Sequence, residues 1–75
     1  MERYLDINHD SGVAGYEFRP DGICVQFKDG STYLYTNASA GAANIEQMKR
    51  LAKVGDGLNS FINRFVKMKY ASKGC

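Results

Sequence analysis

His9, Asp10 and Ser11 stand side by side and supply the three residue types of a hydrolytic triad. A triad needs nucleophile, base and orienting acid converging at hydrogen-bond distance, which neighbours in one short segment do not achieve. The trio reads as a polar turn. Cys24, Cys75 and the single histidine fall short of the three or four converging donors of a zinc site. Gly55-Asp56-Gly57 precedes a helical pattern, but its aspartate repels an anion and the rest of a phosphate loop is missing. Asn37-Ala38-Ser39 is a glycosylation sequon that matters only in a secreted chain. The eight acids lie mostly at turns and ends, with no sign of a pair sharing a cleft. No enzymatic activity, cofactor or metal is expected, and the chain should work by binding.

Two features point to what it binds. Tyr33 and Tyr35 flank Leu34 in one extended run, so both rings lie on the same face of a strand, a geometry by which a sheet presents rings for base stacking. The plainer reading places both rings in the core. The charge is also divided. Residues 1 to 46 hold seven acids and three bases, while residues 47 to 75 hold seven bases and one acid. Lys49 and Lys53 fall four apart with Arg50 beside them, and Arg64 and Lys67 fall three apart, opposite the apolar stripes of two helices. If those helices lie side by side, their polar faces merge into one positive surface, suited to phosphates.

The elements that position these residues follow from periodicity. Val13 to Arg19, Ile23 to Lys28 and Thr32 to Thr36 alternate apolar and polar residues between Asp-Gly punctuation, which predicts a three-stranded antiparallel meander over about 13–36. Proline fixes the turn Arg19-Pro20-Asp21-Gly22, with Gly22 available for a left-handed conformation. Ile23, Val25 and Phe27 share the core face, and Cys24, Gln26 and Lys28 share the other. A three-residue loop Lys28-Asp29-Gly30 with a bulge is the favoured second turn. It pairs Val25 with Tyr33 and Ile23 with Tyr35 and turns both tyrosines inward. A two-residue Asp29-Gly30 loop would pair Val25 with Leu34 and turn them outward.

The second half predicts two helices packed on one face of the sheet, over about 45–54 and 57–71. Asn44 and Gln47 have capping-box spacing before the stripe Ile45, Met48, Leu51 and Ala52. Gly55 ends that helix and Asp56 caps the next, whose apolar residues run from Leu58 through Phe61, Ile62, Phe65, Val66 and Met68 to Tyr70. Residues 38 to 43 read as a small-residue linker or a loose helical turn, and Tyr4, Leu5 and Ile7 as a short edge segment.

At 75 residues the chain makes one α+β domain, with about 3 to 5 kcal/mol of net stability unless disulfides, metal or oligomerisation add to it. Cys24 lies in an alternating run and Cys75 is the last residue, so both are expected as free thiols, leaving oligomerisation as the remaining addition. The acidic start lacks the apolar core of a signal peptide, and no stretch approaches the roughly 20 apolar residues of a membrane span. A cytoplasmic, membrane-free protein is expected.

Taken in order, Ser11 and Val13 before Gly15-Tyr16, the strand Ile23, Val25 and Phe27, Gly30, then Tyr33-Leu34-Tyr35, and the tail Phe61-Ile62-Asn63 through Val66-Lys67 to Tyr70 resemble the KTSC domain. This short bacterial module occurs alone and at the C-terminus of some lysyl-tRNA synthetases. The likeness covers about residues 7 to 70. The chain departs from the family pattern over residues 38 to 60, where the usual Val-Pro and Ser-x-Gly are replaced and the segment is lengthened. The resemblance implies significance for Tyr33 and Tyr35 and, through the synthetase association, an RNA ligand, either tRNA or single-stranded RNA. The competing expectation is a partner protein or a second copy of this chain, with the lysines serving solubility.

Overall fold

The computed structural model describes residues 1–75. Five strands, β1 (Glu2–Arg3), β2 (Val13–Arg19), β3 (Gly22–Phe27), β4 (Thr32–Thr36) and β5 (Ser72–Lys73), form one antiparallel sheet in chain order. The α+β class and the central meander are as the sequence predicts. The two edge strands are additions, and at two residues each they are too short to show alternation. Between β4 and β5 the chain forms α1 (Asn37–Ala40), α2 (Ala42–Val54) and α3 (Leu58–Phe61), the last continuing as a π-helical turn over Ile62–Val66.

The core lies between the helices and one face of the sheet. Ile23, Val25 and Tyr35 from the sheet meet Ile45, Met48 and Ala52 of α2 and Leu58, Ile62 and Val66 of the last helix. The β3–β4 register pairs Ile23 with Tyr35 and Val25 with Tyr33, the pairing of the three-residue loop. Phe27 N–H donates to Ser31 O at 2.8 Å, closing a loop of Lys28, Asp29 and Gly30, with Gly30 at φ +92°. Gly22 serves differently from expectation. It is absent from the left-handed positions; it sits in strand where a Cβ would collide with the Tyr35 carbonyl oxygen and lie 3.1 Å from Thr36 Cα.

Several local expectations are corrected. Helix α2 begins at Ala42 rather than near Ile45, because Ala42 and Ala43 are strong helix formers. Asn44 therefore sits inside it and donates from Nδ2 to Ala40 O at 2.8 Å instead of capping. The capping box belongs to Thr36 and Ser39 at the start of α1. Gly55 does end α2 in the left-handed conformation at φ +84°, but Gly57 precedes α3 and Asp56 instead accepts from Asn8 Nδ2 at 2.8 Å. The last helix stops at Val66, not 71. Leu58, Ile62 and Val66 join the core, while Phe65 within the π turn and Met68 beyond it, both expected in the stripe, are 50% and 74% exposed.

Cys24 and Cys75 are joined in a disulfide across 51 residues of sequence, their Cα atoms 6.1 Å apart. The expectation of free thiols is overturned. The sheet brings the two together: β5 pairs with β4, the chain turns at Gly74 (φ +86°), and Cys75 reaches past β4 to Cys24 on β3. Cys24 is fully buried although it alternates with Ile23 and Val25.

Candidate nucleic-acid interface

Tyr33 and Tyr35 both lie on the helix-bearing face, at different depths. Tyr35 is 2% exposed and belongs to the core. Burial pushes its hydroxyl pKa up to about 12, with Tyr33 and Tyr70 adding to the effect. Tyr33 is half-buried. Phe27 stands edge-on to it at 5.7 Å between ring centroids, and Tyr70 at 5.0 Å. The two aromatic neighbours come from opposite sides, Phe27 from the end of β3 and Tyr70 from the segment that leads into β5.

These rings line a hollow of about 280 Å³ between the sheet and the last helix. Tyr35 and Ile62 contribute to its apolar part, and Asn63, Lys67 and Lys73 are its other polar residues. Lysine is the only charged residue type around it. Lys73 is placed by its pairing with Tyr33 across β4 and β5, and its Nζ lies 5.8 Å from the centroid of the Tyr70 ring. The site thus combines π faces, an amide side chain and two unopposed positive charges, the components with which proteins hold an unpaired base and its phosphates.

The remaining expected bases lie elsewhere. Lys49, Arg50 and Lys53 of α2 share a second hollow, of about 290 Å³, with Phe18 and Glu46. Lys49 and Lys53 each hold Nζ 5.6 Å from the Phe18 ring centroid, and Lys49 also donates to Arg19 O at 2.8 Å. Arg50 donates to Gln47 Oε1 at 3.3 Å. Glu46 partly offsets this group, and Lys53 also borders Glu2 and Glu17. Arg64 stands over Phe65 at 5.4 Å and lines neither hollow. The structure therefore gathers Tyr33, Tyr35 and Lys67 in one place and Lys49, Arg50 and Lys53 in another.

Tyr70, Lys73, Phe27 and Asn63 were not among the binding residues expected from the sequence. Tyr70 was visible as an extension of a helical stripe and as the end of the tail that carries the family resemblance, and Lys73 depends on a two-residue strand that leaves no periodic signal. The segment His9-Asp10-Ser11 is a turn built on Asp6, whose Oδ1 accepts from the Asp10 and Ser11 amides at 3.2 and 3.1 Å. Lys28 donates to Asp6 Oδ2 at 2.9 Å, which ties that lysine to the N-terminal segment. No helix is long and apolar enough to cross a membrane. Comparison with family models, with curated proteins and with solved structures finds no match.

Proposed function

We propose that this chain is a non-catalytic RNA-binding module of the cytoplasm, holding an unpaired base against Tyr33 and Tyr70 while Lys67 and Lys73 meet the adjoining phosphates. The observation that carries the reading is the Tyr33–Tyr70 hollow, where half-buried rings and two lysines converge without an acid. Stacking on such rings contributes roughly 1 to 3 kcal/mol per base. Lys49, Arg50 and Lys53 extend the footprint along the backbone as a second, weaker contact, since acids lie beside them. The resemblance to the KTSC domain, with its synthetase association, leads to the same ligand class.

One observation favours a protein partner or a second copy instead. Phe65 on the last helix and Met68 just past its end are exposed, with the Phe61 ring 4.9 Å from that of Phe65. Salt dependence separates the two. Binding through about four or five phosphates of single-stranded RNA weakens with a log–log slope of roughly −3 to −4, whereas an apolar interface is nearly indifferent. Titration of the labelled chain with tRNA and short single-stranded RNA, following backbone amides at several salt concentrations, tests this directly.

A further inference from the structure

The disulfide and the Tyr33–Tyr70 hollow depend on the same few residues. Past Val66, Tyr70 is the one residue that packs against the core, and Lys73 completes the hollow from β5. Besides the two-residue pairing of β5 with β4, this tail is held by Ala71 N–H donating to Leu34 O at 2.6 Å, Gly74 N–H to Thr32 O at 2.7 Å, and Cys75 N–H to Thr32 Oγ1 at 3.1 Å. Every residue from Ala71 to Cys75 is exposed. The twelve-residue core runs from Tyr4 to Val66 and includes none of them. A two-residue edge strand with these few contacts has little to keep it in place except the covalent bond to Cys24.

We infer that the Cys24–Cys75 disulfide is a redox latch: oxidised, it holds the C-terminal strand and builds the hollow; reduced, it releases the strand and dismantles the hollow. The inference rests on the proposed RNA reading only for what the hollow holds. Cys75 is exposed and Cys24 is fully buried, so a small thiol reductant meets Cys75 first. Its thiolate attacks Cys75 Sγ, the S–S bond breaks, and the electron pair leaves on Cys24 Sγ, which takes up a proton. A second thiol attacks the mixed disulfide and frees the Cys75 thiol, leaving the reductant as its disulfide. Two electrons pass from two thiols to the protein. With the tail gone, Tyr33 loses Tyr70 from its edge, and both Lys73 and the carbonyl partner of the Ala71 amide are released.

The test compares the full chain oxidised, the same chain reduced with dithiothreitol, and the Cys75→Ser variant. Hydrogen exchange and nuclear Overhauser contacts report the tail, and fluorescence anisotropy with labelled single-stranded RNA reports the site. The latch predicts that Ala71 and Gly74 lose protection and the Tyr33–Tyr70 contacts vanish in both unlatched forms, while amides of β2 to β4 stay protected and RNA affinity falls roughly tenfold or more. Retained protection at Ala71 and Gly74 after reduction overturns the latch. So does loss of protection across the whole sheet, which would make the bond a structural staple. Released tails with unchanged RNA affinity overturn the gating. Released tails with no RNA binding in either state leave the latch standing and contradict the RNA reading alone.

Discussion

Tyr70 stands edge-on to Tyr33 at 5.0 Å between ring centroids, so a residue beyond the end of the last helix completes an aromatic group founded on the middle of the sheet. Both rings are half-buried. Tyr70→Ala is expected to leave the domain folded and to weaken RNA binding by about 1 to 3 kcal/mol, whereas Tyr70→Phe retains most of the affinity. Circular dichroism and anisotropy titration on the two variants check both halves.

Tyr35 behaves otherwise because its ring is core. Tyr35→Ala is expected to cost about 3 to 5 kcal/mol, comparable to the net stability of a domain this small before its disulfide is counted, as a urea melt would register. Its raised pKa also gives a pH signature. The folded state favours the neutral hydroxyl, so the associated stability is complete below the ordinary tyrosine value near 10 and is lost as pH rises towards about 12. An ultraviolet absorbance titration should show Tyr35 ionising late, together with Tyr4, whose hydroxyl burial also pushes up.

Gly22→Ala should destabilise the central hairpin by about 1 to 3 kcal/mol, since the new methyl meets the backbone of Tyr35 and Thr36, which cannot swing aside as a side chain would. At Gly30, by contrast, nothing lies within 4 Å and the only obstacle to alanine is φ +92°, a strain of roughly 1 to 2 kcal/mol. Chemical denaturation of both variants distinguishes close approach from backbone conformation.

Lys28 holds the Asp6 carboxyl below its usual range by direct hydrogen bonding; burial opposes the shift, and the Ser11 amide adds to it. A lowered carboxylate pKa stabilises the fold above the unfolded value near 3.8, and that contribution is lost as pH falls through the folded value. Lys28→Met is therefore expected to move the acid unfolding midpoint to higher pH while changing RNA affinity little. Acid titration followed by circular dichroism reads the first effect.

The hairpin register was legible because Lys28-Asp29-Gly30 states a turn type, and a turn type fixes which side chains oppose one another. Gly55 was legible for a similar reason, as a left-handed position at a helix end. The end of the last helix was not. Met68 and Tyr70 continue the apolar spacing past Val66, and only packing reveals that the helix ends there, with Phe65 and Met68 left exposed. The disulfide was hidden by sequence distance, because Cys75 reaches Cys24 only through a two-residue strand with no pattern of its own. Lysines read as a single surface likewise separate once α2 and the last helix are placed, with Lys53 beside Phe18 and Lys67 beside Tyr33 and Tyr70.

The most direct measurement is a titration of the oxidised chain and its Lys67→Glu/Lys73→Glu variant with tRNA and short single-stranded RNA, following backbone amides across a salt series. RNA held in the Tyr33–Tyr70 hollow should give wild-type shifts centred on Tyr33, Lys67, Tyr70 and Lys73, with a log–log salt slope of roughly −3 to −4. The variant should stay folded, since surface changes usually alter stability by less than about 0.5 kcal/mol, and should bind far more weakly. A Lys49→Glu/Lys53→Glu variant should lose less. Failure of the wild type to bind either RNA at low salt, or undiminished binding by the Lys67→Glu/Lys73→Glu variant, would contradict the RNA reading.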